Sequence, residues 1–365
     1  MTNIDDVKAA MKSKTKKRTT KKSDLLSTGS TLLNLACSGD IHGGFAKGHC
    51  ILFVGDTDSG KTWLTLTCLA EATINPEFKD HRLIFDNAEN GALMDLAYYF
   101  GDSLAERIEA PNVDADGVPC SSDTTEEFYY NVDDALKDGR PFIYVLDSID
   151  VLSSDQEGKK FSENKGLSRK GKDPKGSYGD GKAKINASNL RKVVGDLEKS
   201  DSILVIINQT RDNIDAAPFT PKKTRSGGWA LEFYSHLVLW SSAAGQLKKS
   251  VNKKDRQIGV KSNVRVKRSR LTGKKRSVVV PIYHSFGIDD VGSCVDFLCT
   301  EGRWKCTKGV IEVTGLGPTY KASTAKVIET IEEDDLMGDL KLLVKETWDD
   351  VESKCVVKRK NKYRE

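Results

Sequence analysis

Residues 50–72 read CILFVGDTDSGKTWLTLTCLAEA. The apolar run CILFV at 50–54 leads into GDTDSGKT at 55–62, a match to G-x-x-x-x-G-K-[ST], and a mixed apolar stretch follows. Strand, glycine-rich turn and helix in that order are what a phosphate loop needs. The glycines let backbone N–H groups wrap phosphate oxygens, and the helix aims its positive end at them. Gly55, Asp56, Thr57, Asp58, Ser59, Gly60, Lys61 and Thr62 are therefore the candidate nucleotide-binding residues. Lys61 has the charge to neutralise β- and γ-phosphates, and the Thr62 hydroxyl can ligate Mg2+. The loop signals a nucleoside triphosphate without saying what the triphosphate is for.

Around this stretch, short apolar runs alternate with longer mixed segments. LIF (83–85), FIYVL (142–146), ILVII (203–207) and HLVLW (236–240) read with CILFV as buried parallel strands between helices, the pattern of an α/β domain. SNVRVK (262–267) and SVVVPIY (277–283) alternate more cleanly and predict a peripheral hairpin. Residues 156–184 and 210–228 are Gly- and Lys-rich and predict two long loops. Composition divides the chain into a Lys-rich N-terminal arm with a short helix (1–27), a core (28–286) and a small α+β C-terminal domain (287–365) with acidic helices and a basic tail.

The 365 residues are 38% hydrophobic and 30% charged, enough for a real core under a charged surface, and the net charge of +4 matters less than its distribution. Residues 12–22 hold seven Lys or Arg and no acid, a candidate electrostatic arm, a targeting signal or a solubilising tail. Residues 245–276 hold thirteen Lys or Arg against one acid, Asp255, a density that suits phosphate of DNA or of a neighbouring subunit's nucleotide. Eight cysteines without a C-x-x-C pair predict a reducing interior rather than a disulfide framework. Cys294, Cys299 and Cys306 with His284 fit no familiar zinc spacing and read as buried or idle thiols. No leader pattern and no apolar run of about 18 residues occurs, so the expectation is a soluble, cytoplasmic chain.

Three further residues carry candidate chemistry. FIYVLDS (142–148) ends a strand in Asp147, an acid placed to hold Mg2+ with Thr62. RLIFDNAEN (82–90) sets two acids past another strand, and Glu89 rather than Asp86 is the candidate for polarising the attacking water. INQTR (207–211) closes the fourth strand with amides, and Gln209 could hydrogen-bond a γ-phosphate or merely tie off the strand.

The order of these motifs resembles that of the RecA family of homologous DNA recombinases, over nearly the whole chain. STGSTLLNLACSGDIHGGFAKGHCILFVGDTDSGKT (27–62) is similar to the family's opening, FDNAENGAL (85–93) to the segment bearing its catalytic glutamate, YVLDSIDVL (144–152) to its Walker B strand, and LVIINQTR (204–211) to its N-Q-x-R strand end. SGGWALEFYSHLVLW (226–240) and SNVRVKRSRLTGKKR (262–276) continue the likeness. The resemblance implies a RecA-like P-loop ATPase core with a central, mostly parallel sheet. It makes Glu89, Lys61 and Gln209 catalytic, Gln209 being the γ-phosphate sensor, and sends Arg268 and Arg270 to the ATP of the adjacent subunit. The loops at 156–184 and 210–228 would bind DNA through Lys170, Lys172, Arg211, Phe219, Lys222, Lys223, Arg225, Gly227 and Gly228.

The implied activity is DNA-dependent ATP hydrolysis, with ATP and Mg2+, driving homologous pairing and strand exchange in a helical filament on single-stranded DNA. Duplex DNA, loader proteins and single-strand-binding proteins are the implied partners. There are departures: the first loop is longer and more basic, the arm is Lys-rich, and the chain ends in basic residues. Leu93 and Leu96 stand where bacterial-type members set an acid and a tyrosine against adenine. Such divergence suits a virus-encoded member working in the host cytoplasm. A ring-forming helicase motor shares the core but ordinarily carries a larger N-terminal domain than residues 1–27. A weakly catalytic DNA-binding accessory is opposed by the full set of Lys61, Thr62, Glu89 and Asp147.

Overall fold

Strand β1 (Cys50–Gly55) is buried along its whole length, which is why it has no polar face. In the computed structural model, which describes residues 20–170, 173, 181–212 and 223–359, it lies near the middle of the main sheet. The other strands are β2 (Arg82–Asp86), β3 (Ile108–Glu109), β4 (Phe142–Leu146), β5 (Ile203–Asp212), β6 (Lys223–Arg225), β7 (Leu237–Val251), β8 (Lys254–Ser269), β9 (Ser277–Tyr283) and β10 (Gly287–Ile288). Their order is β10-β9-β8-β7-β1-β5-β4-β2-β3, with β6 paired to the far end of β5. From β7 to β3 every pairing is parallel, and from β7 outward to β10 every pairing is antiparallel.

Alternate residues of β1 feed two cores. Ile51 and Phe53 pack with Leu64, Leu66 and Leu69 of α2 (Lys61–Ile74) and with α1 (Thr31–Ser38). Cys50, Leu52 and Val54 pack with Phe128 and Val132 of α3 (Thr125–Lys137) and with Leu190 and Leu197 of α5 (Lys182–Lys199). The chain leaves β1 through α2 and returns at β2, skipping two places, so β5 and β4 are inserted between them. The carboxyl ends of β1, β5, β4 and β2 thus share one edge, where ligands of open α/β sheets bind.

Two expectations change. Of residues 156–184, read as loop, those from Lys182 onward belong to α5 and those up to Ser168 to helix α4 (Asp155–Ser168), none of whose residues is buried. Its start is a capping box, the Ser154 hydroxyl accepting from Glu157 N and the Glu157 carboxylate from Ser154 N, a signal outweighed in sequence by the Gly and Lys content. The alternating runs at 262–267 and 277–283 pair as an antiparallel hairpin, but within the main sheet, because β8 also pairs with β7 along its length.

After β10 come α7 (Asp290–Thr300), a three-stranded antiparallel sheet of β11 (Lys305–Thr307), β12 (Val310–Val313) and β13 (Tyr320–Ser323), then α8 (Thr324–Glu333) and α9 (Met337–Lys354). Trp304 is buried at its centre and donates through Nε1 to the Thr314 carbonyl, 2.9 Å. The expected free thiols are corrected in one place: Cys299 and Cys306 form a disulfide, because the turn after α7 brings their Cα atoms to 5.8 Å. Cys294 is a separate buried thiol, and no metal-holding cluster occurs among the described residues. No helix among the described residues is long and apolar enough to cross a membrane.

Asp290 at the start of α7 accepts from the backbone N (2.6 Å) and hydroxyl (2.7 Å) of Thr31, at the start of α1. Lys341 of α9 lies 3.8 Å away. Asp290→Ala strands these donors and is expected to lower the unfolding free energy by roughly 2 kcal/mol. Urea unfolding is the check, and a change below about 0.5 kcal/mol would remove Asp290 as the link between α7 and α1.

Candidate functional site

The phosphate-loop segment 55–62 spans the turn from β1 into α2, and Gly60, at φ +85°, is the residue just before the helix. A left-handed backbone with Ile282 where a Cβ would stand admits only glycine there. Two serines that sequence reasoning missed hold the turn. Ser241 on β7 shares a 2.8 Å hydrogen bond with the Ser59 hydroxyl, and Ser262 on β8 donates to the Ser59 carbonyl at 2.7 Å. Thr57 and Asp58 stand exposed at its tip.

Lys61 is only 8% exposed, and its ammonium donates to the loop's own carbonyls, Gly55 at 3.1 Å and Asp56 at 2.6 Å. Burial lowers its pKa, opposed by the charges of Asp147, Glu89, Asp56 and Asp150. The Thr62 hydroxyl donates to Asp147 Oδ2 at 2.6 Å, so the two hard oxygen donors expected of a Mg2+ site meet although 85 residues separate them. Glu89 lies alongside: its Oε1 accepts from Gln209 Nε2 at 2.6 Å and from the Ser148 hydroxyl. Asp86, by contrast, is fully buried and bonds Ser122 and the Tyr144 hydroxyl, so it ties the sheet to the segment before α3.

Gln209 reaches further. Its backbone N–H donates to Asp150 at 2.5 Å, and the same carboxylate accepts from the Ser226 hydroxyl. Asn208 Nδ2 donates to the Ser226 hydroxyl at 3.2 Å. Asp150 was passed over in sequence; the one available signal was a second acid three residues after Asp147 in DSID. It joins the strand end bearing Gln209 to the return of the second loop.

The predicted DNA-facing residues separate into groups. Lys170, Arg211 and Lys223 are exposed. Arg225 is turned inward, donating to the Gly228 carbonyl at 2.8 Å and pairing with Glu232 at 3.4 Å, and burial lowers its pKa. Its charge is thus paired within the fold. Gly227 and Gly228 turn the chain into α6 (Trp229–Tyr234), and Gly228, at φ +79°, packs where a Cβ would meet Ala183. Lys172, Phe219 and Lys222 lie outside the described residues. Sequence reasoning missed Trp229, 85% exposed, on the wall of a groove of about 600 Å3 with Lys223, Trp240, Arg265 and Lys267.

Arg268 and Arg270 are not near this chain's own phosphate loop. Arg268 pairs in register with Val238, beside Leu52 toward the amino end of β1, whereas Gly55 pairs with Ser241 at the other end. Their guanidinium groups donate to the carbonyls closing α6, Glu232 at 2.6 Å and Phe233 at 2.7 Å. At about 3.3 Å per residue, the backbone alone separates them from the loop by roughly 10 Å.

Fold and site together define an α/β phosphate-loop protein with the site at the carboxyl edge of an inserted-strand sheet. Residues 6–289 match the RecA N-terminal domain family. The chain is similar to the Protein RecA of Xanthomonas axonopodis pv. citri (strain 306), 28% identical over 75% of this chain and 70% of that one. It is likewise similar to the Protein RecA of Xanthomonas euvesicatoria pv. vesicatoria (strain 85-10), 27% identical over the same shares. The chain belongs to the RecA family. Members of this family are DNA-dependent ATPases of recombination and repair that use ATP with Mg2+.

Burial pushes Asp147 up to about 6; the Thr62 hydrogen bond and Lys61 oppose the shift and the Glu89 charge adds to it. The folded chain therefore keeps a proton that the unfolded chain releases near pH ~3.9, and stability falls as pH rises through that window. Asp147→Asn removes this cost. Without nucleotide the variant is expected to be more stable by on the order of 2 kcal/mol at pH 7.5, with the gain fading below about pH 4. Urea unfolding at both pH values is the check, and equal stability at pH 7.5 would refute the assignment of strain to this carboxylate.

Proposed function

We propose that this chain is an ATP-dependent homologous recombinase, which assembles as a helical filament on single-stranded DNA and promotes homologous pairing and strand exchange with DNA-stimulated ATP hydrolysis. One observation carries the reading: a single residue, Gln209, bonds Glu89 through its side chain and Asp150 through its backbone, and Asp150 also holds Ser226. Whatever draws the Gln209 amide away from Glu89 is thereby felt at both ends of the second loop.

The residues suit a nucleotide with Mg2+. The Lys61 ammonium donates to carbonyls of its own loop and can exchange them for phosphate oxygens. Thr62 and Asp147 offer hard oxygen ligands. When bound, Mg2+ supplies charge neutralisation to the phosphates. Glu89, freed from Gln209, orients a water and takes its proton, while the Gln209 amide turns to the γ-phosphate oxygen. Lys170, Arg211 and Lys223 give backbone contacts to DNA, binding that is sequence-tolerant and weakened by salt.

Arg268 and Arg270 serve a nucleotide only on another copy, given their distance from their own loop. A contact of that kind, one surface on a different one, propagates head to tail into a ring or a helix. DNA running along the assembly favours the helix.

The test is negative-stain imaging with single-stranded DNA and a slowly hydrolysed ATP analogue. Extended helical filaments that need both ligands are expected; closed rings would favour a helicase motor, and scattered monomers on DNA an accessory protein. Lys61→Ala is expected to cut DNA-stimulated hydrolysis by at least ~100-fold, and unchanged turnover would remove the phosphate-loop assignment. Replacing Arg268 and Arg270 together by Ala should abolish filaments while leaving the monomer's nucleotide affinity within about threefold. Loss of nucleotide binding by the monomer would contradict a role in trans.

A further inference from the structure

Asp56 is an odd residue for its place. A carboxylate inside a loop built to receive a polyphosphate adds negative charge where negative charge arrives, and folding has answered it. Its Oδ2 pairs with Lys223 Nζ at 2.5 Å, and its Oδ1 accepts from the Thr210 hydroxyl. Thr210 and Lys223 stand on the two strands of the β5–β6 hairpin, whose register sets Thr210 opposite Arg225 and Lys223 opposite Asp212. One carboxylate thus grips both strands at the base of the second loop. Its own backbone carbonyl meanwhile holds the Lys61 ammonium.

From this geometry we infer that the Asp56–Lys223 pair is an autoinhibitory latch: it pins the base of the β5–β6 hairpin to the phosphate loop and occupies a lysine that would otherwise bind a DNA backbone phosphate. The inference rests on the proposed assignment of residues 210–228 to DNA. Lys223 has one ammonium and two competing anions, the Asp56 carboxylate and a phosphodiester. The side chains are 47% and 25% exposed, so the pair is partly screened and readily exchanged, as a switch requires. Burial alone would raise the Asp56 pKa, but Lys223 and Thr210 outweigh it and hold it below the ordinary carboxylate value, so the latch is closed at neutral pH. Nucleotide arriving at the loop takes Lys61 from the Asp56 carbonyl and crowds its carboxylate with phosphate charge, which loosens the grip from the other side.

The test uses the full chain without nucleotide. Asp56→Asn keeps the size and removes the charge. Hydrogen exchange of the amides in 210–212 and 223–225 is expected to quicken by about fivefold, and labelled single-stranded DNA is expected to bind about fivefold more tightly, the order of one partly exposed ion pair. Adding Lys223→Ala should cancel the gain in DNA affinity. Lys223→Gln breaks the same pair from outside the loop and should quicken exchange equally, which covers a phosphate loop that fails to fold with Asn. Unchanged exchange in both variants would overturn the latch. Faster exchange with no gain in DNA affinity would overturn its inhibitory role. If the unaltered chain binds no DNA even with an ATP analogue, the recombinase reading fails instead, and the exchange measurement still decides whether the pair restrains the hairpin.

Discussion

The site depends on one constraint, the insertion of β5 between β1 and β4. A strand buried on both faces and hydrogen-bonded on both edges cannot shift by one residue without turning its core side chains to the wrong layer. Ile203, Val205 and Ile207 face one core and Leu204 and Ile206 the other, so the register with β1 is fixed and Gln209 is held opposite Gly55. From that position its side chain reaches Glu89 and its backbone reaches Asp150. The rigid strand then continues, past the sheet's edge, as one half of the hairpin that Lys223 and Asp56 fasten. Gln209 and the start of the hairpin are two stretches of the same strand.

Around that strand end the electrostatics are unbalanced. Asp147, Glu89, Asp150 and Asp56 converge on the buried ammonium of Lys61. Burial raises the pKa of both Asp147 and Asp150, so folding bears a cost wherever these carboxylates stay charged. Burial would raise Asp56 too, but Lys223, Thr210 and Lys61 outweigh it and hold it below the ordinary value. Such stored cost is common where charge must be accepted rather than kept. It also makes the loop sensitive to the hairpin, since every charge drawn from Asp56 is felt by Lys61 through the same residue.

The long-range bonds of the C-terminal elements are of another kind. Asp290 to Thr31 and the Arg276–Glu352 pair fasten α7 and α9 to the core without touching the phosphate loop. They explain how a chain with so charged a surface holds the antiparallel half of its sheet, where Val279 and Phe286 remain exposed.

The sequence by itself determined the fold class and most of the phosphate site. Uniformly apolar runs such as CILFV and FIYVL, alternating with longer mixed segments, read as strands buried on both faces, and GDTDSGKT names the phosphate loop, although Ser241 and Ser262 from distant strands hold its turn. Local capping was legible too, although the Ser154–Glu157 box was outweighed by composition and α4 went unread. What only the tertiary structure decided depends on pairing across long separations. Arg225 reads as a free cation until Glu232 and the Gly228 carbonyl take it, and Arg268 and Arg270 read like any basic strand until the register places them at the far end from their own loop. Cys299 and Cys306 become a disulfide only through the turn after α7. Asp56 reads as one more nucleotide-binding residue of the phosphate loop until β6 folds back beside it. A side chain's chemistry is written in its residue type, but the charge it meets is set by strand order and register, which no local stretch of sequence contains.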